Sequence, residues 1–101
     1  QKLLRLAEQV NKGYNLKSLE VIGHTDRIGS NASNMLLSQA RAETVKTFLA
    51  GNGVSASLIT ARGVGSSQPI VTCAGSATPT VIACLQPNRR VDVAVNGSLK
   101  P

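Results

Sequence analysis

Apolar residues repeat along the chain with two periods, one typical of helices and one typical of strands. In residues 2–12 they recur at intervals of three and four, which predicts an amphipathic helix that Gly13 ends. A β-rich run at residues 19–23 predicts a short strand. The polar stretch that follows, residues 24–34, is long for a connection between a strand and a helix, and this favours a functional loop.

The middle of the chain repeats this alternation. A second helix is predicted from about residue 34 to residue 50, and the Gly-Asn-Gly sequence at residues 51–53 is typical of a helix end. Residues 58–64 predict a second strand. Residues 65–88 show no clear period and predict a long irregular segment.

The last predicted strand rests on valines at every second position of residues 91–95, and Asn96-Gly97 is its predicted end. The order is then helix, strand, helix, strand, loop, strand. This alternation predicts an α/β fold with helices packed on a sheet. With 101 residues the chain has the length of one domain, residues 1–101.

A formal net charge of +6 favours an anionic partner such as nucleic acid, an anionic membrane face or an anionic polymer. Only Arg89 and Arg90 are adjacent, so no basic stripe for a run of phosphates is visible, and one Tyr, one Phe and no Trp offer no stacking platform for bases. A basic nucleic-acid-binding domain therefore stays as the alternative. No apolar run approaches the roughly 18–20 residues that cross a bilayer, so membrane attachment is expected only through a part of the protein outside this chain.

Arg41 is the most informative position of the second helix. On a helical wheel it lies within the apolar arc, whose other members are Leu37, Val45, Phe48 and Leu49. An arginine that faces a core keeps its charge, so it must either extend its charged end to solvent or find an anion, because an unpaired buried charge is costly. That anion belongs either to a structural ion pair or to a ligand.

Asp26 lies in the loop that leads into this helix. It stands just past the end of a strand, where ligands of α/β sheets usually bind. A carboxylate beside a guanidinium matches a zwitterion, with Asp26 facing an ammonium group and Arg41 facing a carboxylate. These residue types therefore predict an amino-acid-like ligand.

The two cysteines, Cys73 and Cys84, lie in one segment rich in Pro, Gly, Ser and Thr. An even pair that brackets a loop favours a disulfide and an oxidising compartment such as the periplasm, and two buried free thiols are the alternative. The spacing matches no common zinc site, and the chain has a single histidine, His24. No nucleophile with a positioned base is recognisable, so no metal, no cofactor and no enzymatic activity are expected.

Several short motifs together resemble the OmpA-like C-terminal domain family. They are Gly23-His24-Thr25-Asp26 with Gly29 and Asn34, Leu37-Ser38 with Arg41-Ala42, Gly63 and Gly65 with Pro69, and Asn88-Arg89-Arg90-Val91. The resemblance spans about residues 19–97. Residues 25–30, residues 61–63 and the cysteine pair ahead of Leu85 resemble the outer membrane protein A branch of the family in particular.

The resemblance implies noncovalent binding of peptidoglycan through the diaminopimelate of its stem peptide. It implies the periplasmic domain of a cell outer membrane protein, which tethers the outer membrane of a Gram-negative cell to the wall. The family's aspartate and arginine map onto Asp26 and Arg41, which the loop and the wheel also single out. Its loop asparagine maps onto Asn34, a leucine of the pocket wall onto Leu37, and a pocket-supporting arginine onto Arg89.

The chain also departs from the family pattern. Ser33 stands where a tyrosine commonly precedes the loop asparagine. The resemblance implies an α+β sandwich of β-α-β-α-β order, with helices packed on one face of a small mixed sheet. Family members begin with a strand before the first helix, so that strand is expected to be missing from this chain. His24 is expected to pack at the base of the loop, and Gly63 and Gly65 are expected to permit a turn rather than to cradle a phosphate.

Overall fold

The computed structural model describes residues 2–99, which form three α-helices and three strands. In chain order these are α1 (Lys2–Gly13), β1 (Tyr14–Gly23), α2 (Asn31–Gly51), β2 (Ile59–Gly63), α3 (Pro79–Cys84) and β3 (Val91–Leu99). Of the predicted domain of residues 1–101, residues 1, 100 and 101 lie outside the described residues. Within residues 2–99 no helix is long and apolar enough to cross a membrane.

The sheet is mixed, with β1 in the middle between β2 and β3. β1 runs parallel to β2, and this pairing ends with Gly23 opposite Gly63. β1 runs antiparallel to β3, with Gly23 opposite Val91. The ends of β1 and β2 and the start of β3 therefore meet at one edge of the sheet, and the loop after β1 leaves from this edge.

Helices α1 and α2 contact each other and the same sheet, which encloses the core between the two layers. The buried core residues are Ala7, Val10, Leu19, Val21, Ala42, Leu49, Val54 and Ile59. α1 buries the stripe that its three- and four-residue spacing predicts, and β1 buries alternate residues. The predicted α/β fold with a mixed sheet is confirmed.

β1 and β3 are both longer than predicted, because they extend each other by pairing. β1 begins at Tyr14 instead of residue 19, and β3 continues to Leu99 past its predicted end at Asn96-Gly97. The register of the pair shifts once next to Gly97. A Cβ at this glycine would overlap the carbonyl oxygen of Asn15. The glycine therefore permits a close backbone approach inside the strand pair and does not end the strand.

α2 begins earlier than predicted because Ser30 caps its first turn. The Ser30 hydroxyl accepts a hydrogen bond from the backbone N–H of Ser33 at 3.1 Å. Of the apolar arc predicted for this helix, Leu49 is buried and Val45 packs against the core, but the other buried residues of α2 are the small or polar Asn34, Ser38 and Ala42. Leu37 is 45% exposed, and Arg41 is half-buried at the border of the buried face.

The buried face of α2 carries small residues because the helix crosses the sheet at two glycines. A Cβ at Gly23 would overlap the carbonyl oxygen of Ser38, and a Cβ at Gly63 would overlap the backbone nitrogen of Gln39. The Gln39 side chain also bonds β2 directly, accepting from the Gly63 N–H at 2.8 Å and donating to the Ala61 carbonyl at 3.0 Å. Gly63 thus serves helix packing, and only Gly65, with a φ of +59°, makes the predicted turn.

The segment predicted to be irregular, residues 65–88, contains the short helix α3. Thr78 caps this helix and Pro79 occupies its first turn, a combination typical of helix starts. Six residues are too few to show a helical period in the sequence. Cys73 and Cys84 are joined by a disulfide that spans this helix, so the first of the two cysteine hypotheses is confirmed.

Candidate functional site

The candidate site is built on residues 24–30, the β1–α2 loop. Two backbone hydrogen bonds hold its base. The His24 N–H donates to the Arg90 carbonyl at 2.8 Å, and the Thr25 N–H donates to the Gly65 carbonyl at 2.9 Å. The loop is therefore bonded both to the turn after β2 and to the start of β3, at the edge of the sheet where these strands meet.

Asp26 points its carboxylate into this loop, and its side chain is only 11% exposed. Oδ1 accepts a hydrogen bond from the Ile28 N–H at 2.9 Å. Oδ2 accepts one from Nη1 of Arg89 at 2.7 Å, an ion pair between residues 63 positions apart. Both oxygens thus have a partner within the chain, which gives the carboxylate a defined orientation.

Asn34 holds the loop from the first turn of α2. Its side-chain Nδ2 donates to the carbonyl oxygens of Asp26 and Ile28, each at 3.2 Å, and the residue is buried. Gly29, which follows Ile28, makes the turn toward α2 with a φ of +97°, a conformation that favours glycine. The structure therefore brings Asp26, Asn34 and Arg89 together, as predicted for one site, with Asn34 acting on the backbone of the loop.

Arg41 lies two turns further along α2 and reaches the same loop. Its Nη1 donates to the carbonyl oxygen of His24 at 3.3 Å. Within residues 2–99 Arg41 has no carboxylate partner, and the partner of Asp26 is Arg89. Asp26 is thus part of the loop that Arg41 contacts, but the two side chains do not form an ion pair. The guanidinium group of Arg41 can therefore bind another anion.

Leu37 lies on α2 between these two polar positions and is 45% exposed. Its neighbours Met35 and Leu36 are 48% and 75% exposed, so this part of α2 presents apolar side chains to solvent. These side chains do not belong to the core, and their methyl groups are accessible to a ligand.

His24 packs at the base of the loop with 1% of its surface exposed. Its Nε2 lies 3.0 Å from Oδ2 of Asp92 but outside hydrogen-bonding geometry, and its Nδ1 has no hydrogen-bond partner in the described part of the chain. Burial, followed by the positive charge of Arg90, lowers the pKa of His24 below its usual 6.5, while the Asp92 carboxylate opposes this shift. This shift favours the neutral form of His24.

Acidification is expected to destabilise the domain through His24. Because its pKa is lower in the folded than in the unfolded state, its stabilising contribution is full above pH 6.5 and is lost as the pH falls below that value. For one proton the unfolding free energy falls by at most about 1.4 kcal/mol per pH unit. Urea unfolding measured from about pH 7.5 to about pH 5 should show a shallower pH dependence for His24→Gln than for the wild type. Equal slopes would contradict this assignment.

Two residues that shape the site were not given a role from the sequence. Arg27 donates through Nη2 to the carbonyl oxygens of Cys73, at 2.8 Å, and Gly75. Asn88 is buried and binds the backbone of Ile70 and Val71 through both ends of its amide. Their partners are backbone groups far away in the sequence, and such groups leave no trace in a pattern of side chains.

No group of three or more His, Cys, Asp or Glu residues within residues 2–99 is arranged to hold a metal ion. The polar groups of the site are instead one carboxylate, one amide and two guanidinium groups. This set can bind the charged ends of an organic ligand by hydrogen bonds.

A protein-family model described as the OmpA family matches residues 1–79. The chain is 47% identical over 81 residues to outer membrane protein P5 of Haemophilus influenzae, a match that covers 77% of this chain and 23% of that protein. It is 46% identical over 83 residues to outer membrane protein A of Klebsiella pneumoniae, covering 79% of this chain and 24% of that protein. The chain thus spans about a quarter of the length of these relatives.

The fold is also similar to a solved structure, the cell wall anchor of the T6SS from Pseudomonas aeruginosa. The TM-score is 0.72 at 31% sequence identity, over 96% of this chain and 65% of that chain. The family match includes Asp26, Asn34, Leu37 and Arg41 and ends before Arg89. The resemblance inferred from the sequence motifs is confirmed, and the chain belongs to the OmpA family.

Proposed function

We propose that this domain binds peptidoglycan noncovalently through the diaminopimelate of the stem peptide and so tethers the outer membrane to the cell wall. Asp26 receives an ammonium group of diaminopimelate, and Arg41 receives the adjoining carboxylate in a bidentate contact. Membership in the OmpA family supports a non-enzymatic, wall-binding domain, and the outer membrane relatives support a periplasmic location. The disulfide is of the kind that persists in that oxidising compartment.

The observation that carries this proposal is the arrangement of two charged side chains around the β1–α2 loop, Asp26 within it and Arg41 on α2. The carboxylate of Asp26 is oriented by Ile28 and Arg89, whereas the described partner of Arg41 is one backbone carbonyl, that of His24. A guanidinium group has five N–H donors, so donors of Arg41 remain for a carboxylate. An oriented anion in the loop and an available cation on α2 that contacts this loop suit a zwitterion better than a ligand of single charge.

Asn34, Leu37 and Arg89 complete the proposed site. Asn34 keeps the backbone of Asp26 in place. Leu37 offers an exposed apolar wall to the methylene chain of diaminopimelate. Arg89 supports the pocket by aiming the Asp26 carboxylate, whose remaining lone pairs accept the ligand ammonium group.

The affinity of one site is expected to be modest. A single amino-acid end offers few contacts, which corresponds to a dissociation constant of roughly micromolar to millimolar. Many stem peptides on one polymer, together with a membrane-attached protein, increase the effective affinity without any new contact. Weak binding of a soluble fragment is therefore compatible with firm attachment to the wall.

A wall polymer with diaminopimelate is expected to bind at least roughly tenfold more tightly than one with lysine at that position. Lysine keeps the methylene chain and the ammonium group but lacks one carboxylate, which removes the partner proposed for Arg41. Cosedimentation with purified sacculi of both kinds, followed by titration of the corresponding muropeptides, measures the difference. Equal affinity for the two would contradict the role assigned to diaminopimelate.

The same protein preparation tests the alternatives. A basic nucleic-acid-binding domain would bind DNA or RNA with an affinity that falls steeply with salt and is unaffected by Asp26→Asn. A wall hydrolase would release soluble fragments from sacculi instead of only sedimenting with them. We expect neither result.

A further inference from the structure

A disulfide-closed segment lies against the β1–α2 loop. This segment, residues 73–84, begins and ends with the two bonded cysteines and contains α3. Two arginines join it to the loop: Arg27, which is part of the loop, and Arg89, which lies after the segment and contacts both. The contacts of Arg27 and Arg89 therefore determine how the loop and the segment act on each other.

Arg27 makes the first connection. It directly follows Asp26 in the chain, and its Nη2 donates to the carbonyl oxygens of Cys73, at 2.8 Å, and Gly75. Two carbonyls that converge on one guanidinium nitrogen require the turn between them to keep its shape. The disulfide contributes to that shape, because Cys73 is itself one of the bonded residues.

Arg89 makes the second connection. Its Nη1 donates both to Oδ2 of Asp26, at 2.7 Å, and to the carbonyl oxygen of Ile82, at 3.0 Å. Ile82 lies in α3, two residues before the second bonded cysteine. One nitrogen thus links the proposed ligand-binding carboxylate to the disulfide-closed segment.

A cavity of about 100 Å³ lies beside the contacts of Arg27. Of the disulfide-closed segment only Cys73 lines it, and the other lining residues include Thr25, Arg27, Leu85 and Asn88. Because the loop is not fully packed at this point, the hydrogen bonds of Arg27 contribute more to its attachment than they would in a closed core.

We infer that Arg27 is a positioning residue for peptidoglycan binding, and that it acts by fixing the β1–α2 loop to the disulfide-closed segment. The inference rests on the proposed function of Asp26. With the disulfide intact, Arg27 and Arg89 hold the loop on both sides of the carboxylate. Without the bond, the segment gains conformational freedom, the carbonyl groups of Cys73 and Gly75 separate, and Asp26 loses its fixed orientation.

The test is titration of a diaminopimelate muropeptide against four variants. Arg27→Ala is expected to weaken binding about three- to tenfold, and Cys73→Ser/Cys84→Ser by a similar factor. Because both act through one connection, the triple variant should bind no more than about twofold more weakly than the double cysteine variant. Lys12→Ala removes the same charge from an exposed position in the last turn of α1, which precedes the end of β1 remote from the loop, and should bind within about twofold of the wild type.

Reduction of the wild-type protein gives an independent readout. A dithiol such as dithiothreitol transfers two electrons and two protons to the disulfide, which yields two thiols and the cyclic disulfide of the reagent. Reduced wild type should match the double cysteine variant in affinity, and the double variant itself should not respond to the reagent. Thermal unfolding of each variant confirms that it is folded under the titration conditions.

The outcomes separate the inference from the proposed function. If oxidised wild type fails to bind the muropeptide, the proposed function fails. If the wild type binds and Arg27→Ala behaves like Lys12→Ala, or if the losses from Arg27→Ala and from the cysteine substitutions multiply, the positioning role of Arg27 is overturned while the binding site stands.

Discussion

Asp26→Asn is expected to weaken binding of a diaminopimelate muropeptide by roughly 10- to 100-fold, the factor that corresponds to loss of a charge-assisted hydrogen bond. The amide keeps the shape of the side chain but offers no charge to the ligand ammonium group. The enclosed carboxylate, 11% exposed, is screened less by water than a surface carboxylate, and its loss therefore has a larger effect. Calorimetric titration of the muropeptide measures the change.

Comparison of two muropeptides, one with diaminopimelate and one with lysine, separates the contribution of Asp26 from that of Arg41. Arg41→Ala should weaken binding of the diaminopimelate muropeptide by a similar factor, but it should change binding of a lysine muropeptide by less than about threefold. The lysine stem lacks the carboxylate that Arg41 is proposed to bind. Asp26→Asn should weaken binding of both muropeptides, because both carry the ammonium group.

Two control variants address charge and structure. Glu43→Gln neutralises an exposed carboxylate on α2 and should leave affinity unchanged. Arg89→Ala removes the intramolecular partner of Asp26 but keeps the carboxylate, and its loss of affinity should be smaller than that of Asp26→Asn. Equal losses for Arg89→Ala and Asp26→Asn would assign Asp26 a purely structural role. Unchanged affinity for both Asp26→Asn and Arg41→Ala would exclude this pair as the binding site.

The parts of the site that were predictable from residue patterns are local in sequence. Asp26 lies in a loop recognisable by its length and polarity, and Arg41 lies on the helix that this loop enters. Arg89 is 63 residues from its partner, and only resemblance to the family pointed to it. Arg27 binds backbone carbonyls, so no side-chain pattern marks its role. Long-range polar contacts depend on the final fold, and a pattern of side chains does not specify them.

The main error about α2 has a different physical cause. The helical wheel assigned only large apolar residues to the buried face, whereas α2 buries Ser38 and Ala42 beside the predicted Leu49 and exposes Leu37. Close contact between a helix and a sheet requires small side chains on both surfaces, so the residues of closest approach carry little hydrophobic signal. The glycines opposite them, Gly23 and Gly63, are the clearest sequence sign of this contact, although Gly63 was expected to permit a turn.

Gly63→Ala is expected to lower the free energy of unfolding by about 3 kcal/mol or more, a large fraction of the total stability of a domain of this size. The added Cβ would overlap the backbone nitrogen of Gln39 and the Ser38 hydroxyl oxygen. A backbone atom of α2 cannot withdraw by itself, so the helix must lift from the sheet. That movement would also stretch the hydrogen bonds from the Gly63 and Gly65 N–H groups to these two α2 side chains.

Gly51→Ala is the matched control, because a Cβ at this last residue of α2 meets no atom within 4 Å. It should leave stability unchanged or raise it by about 0.4–1 kcal/mol through the lower entropy of the unfolded chain. Urea unfolding followed by circular dichroism compares the two variants, and equal midpoints would show that α2 does not rest on β2 at Gly63. Since α2 also carries Asn34 and Arg41, the folded fraction of Gly63→Ala should bind the diaminopimelate muropeptide more weakly than Gly51→Ala does. The close contact of α2 with Gly63 would then determine where Asn34 and Arg41 lie in the binding site.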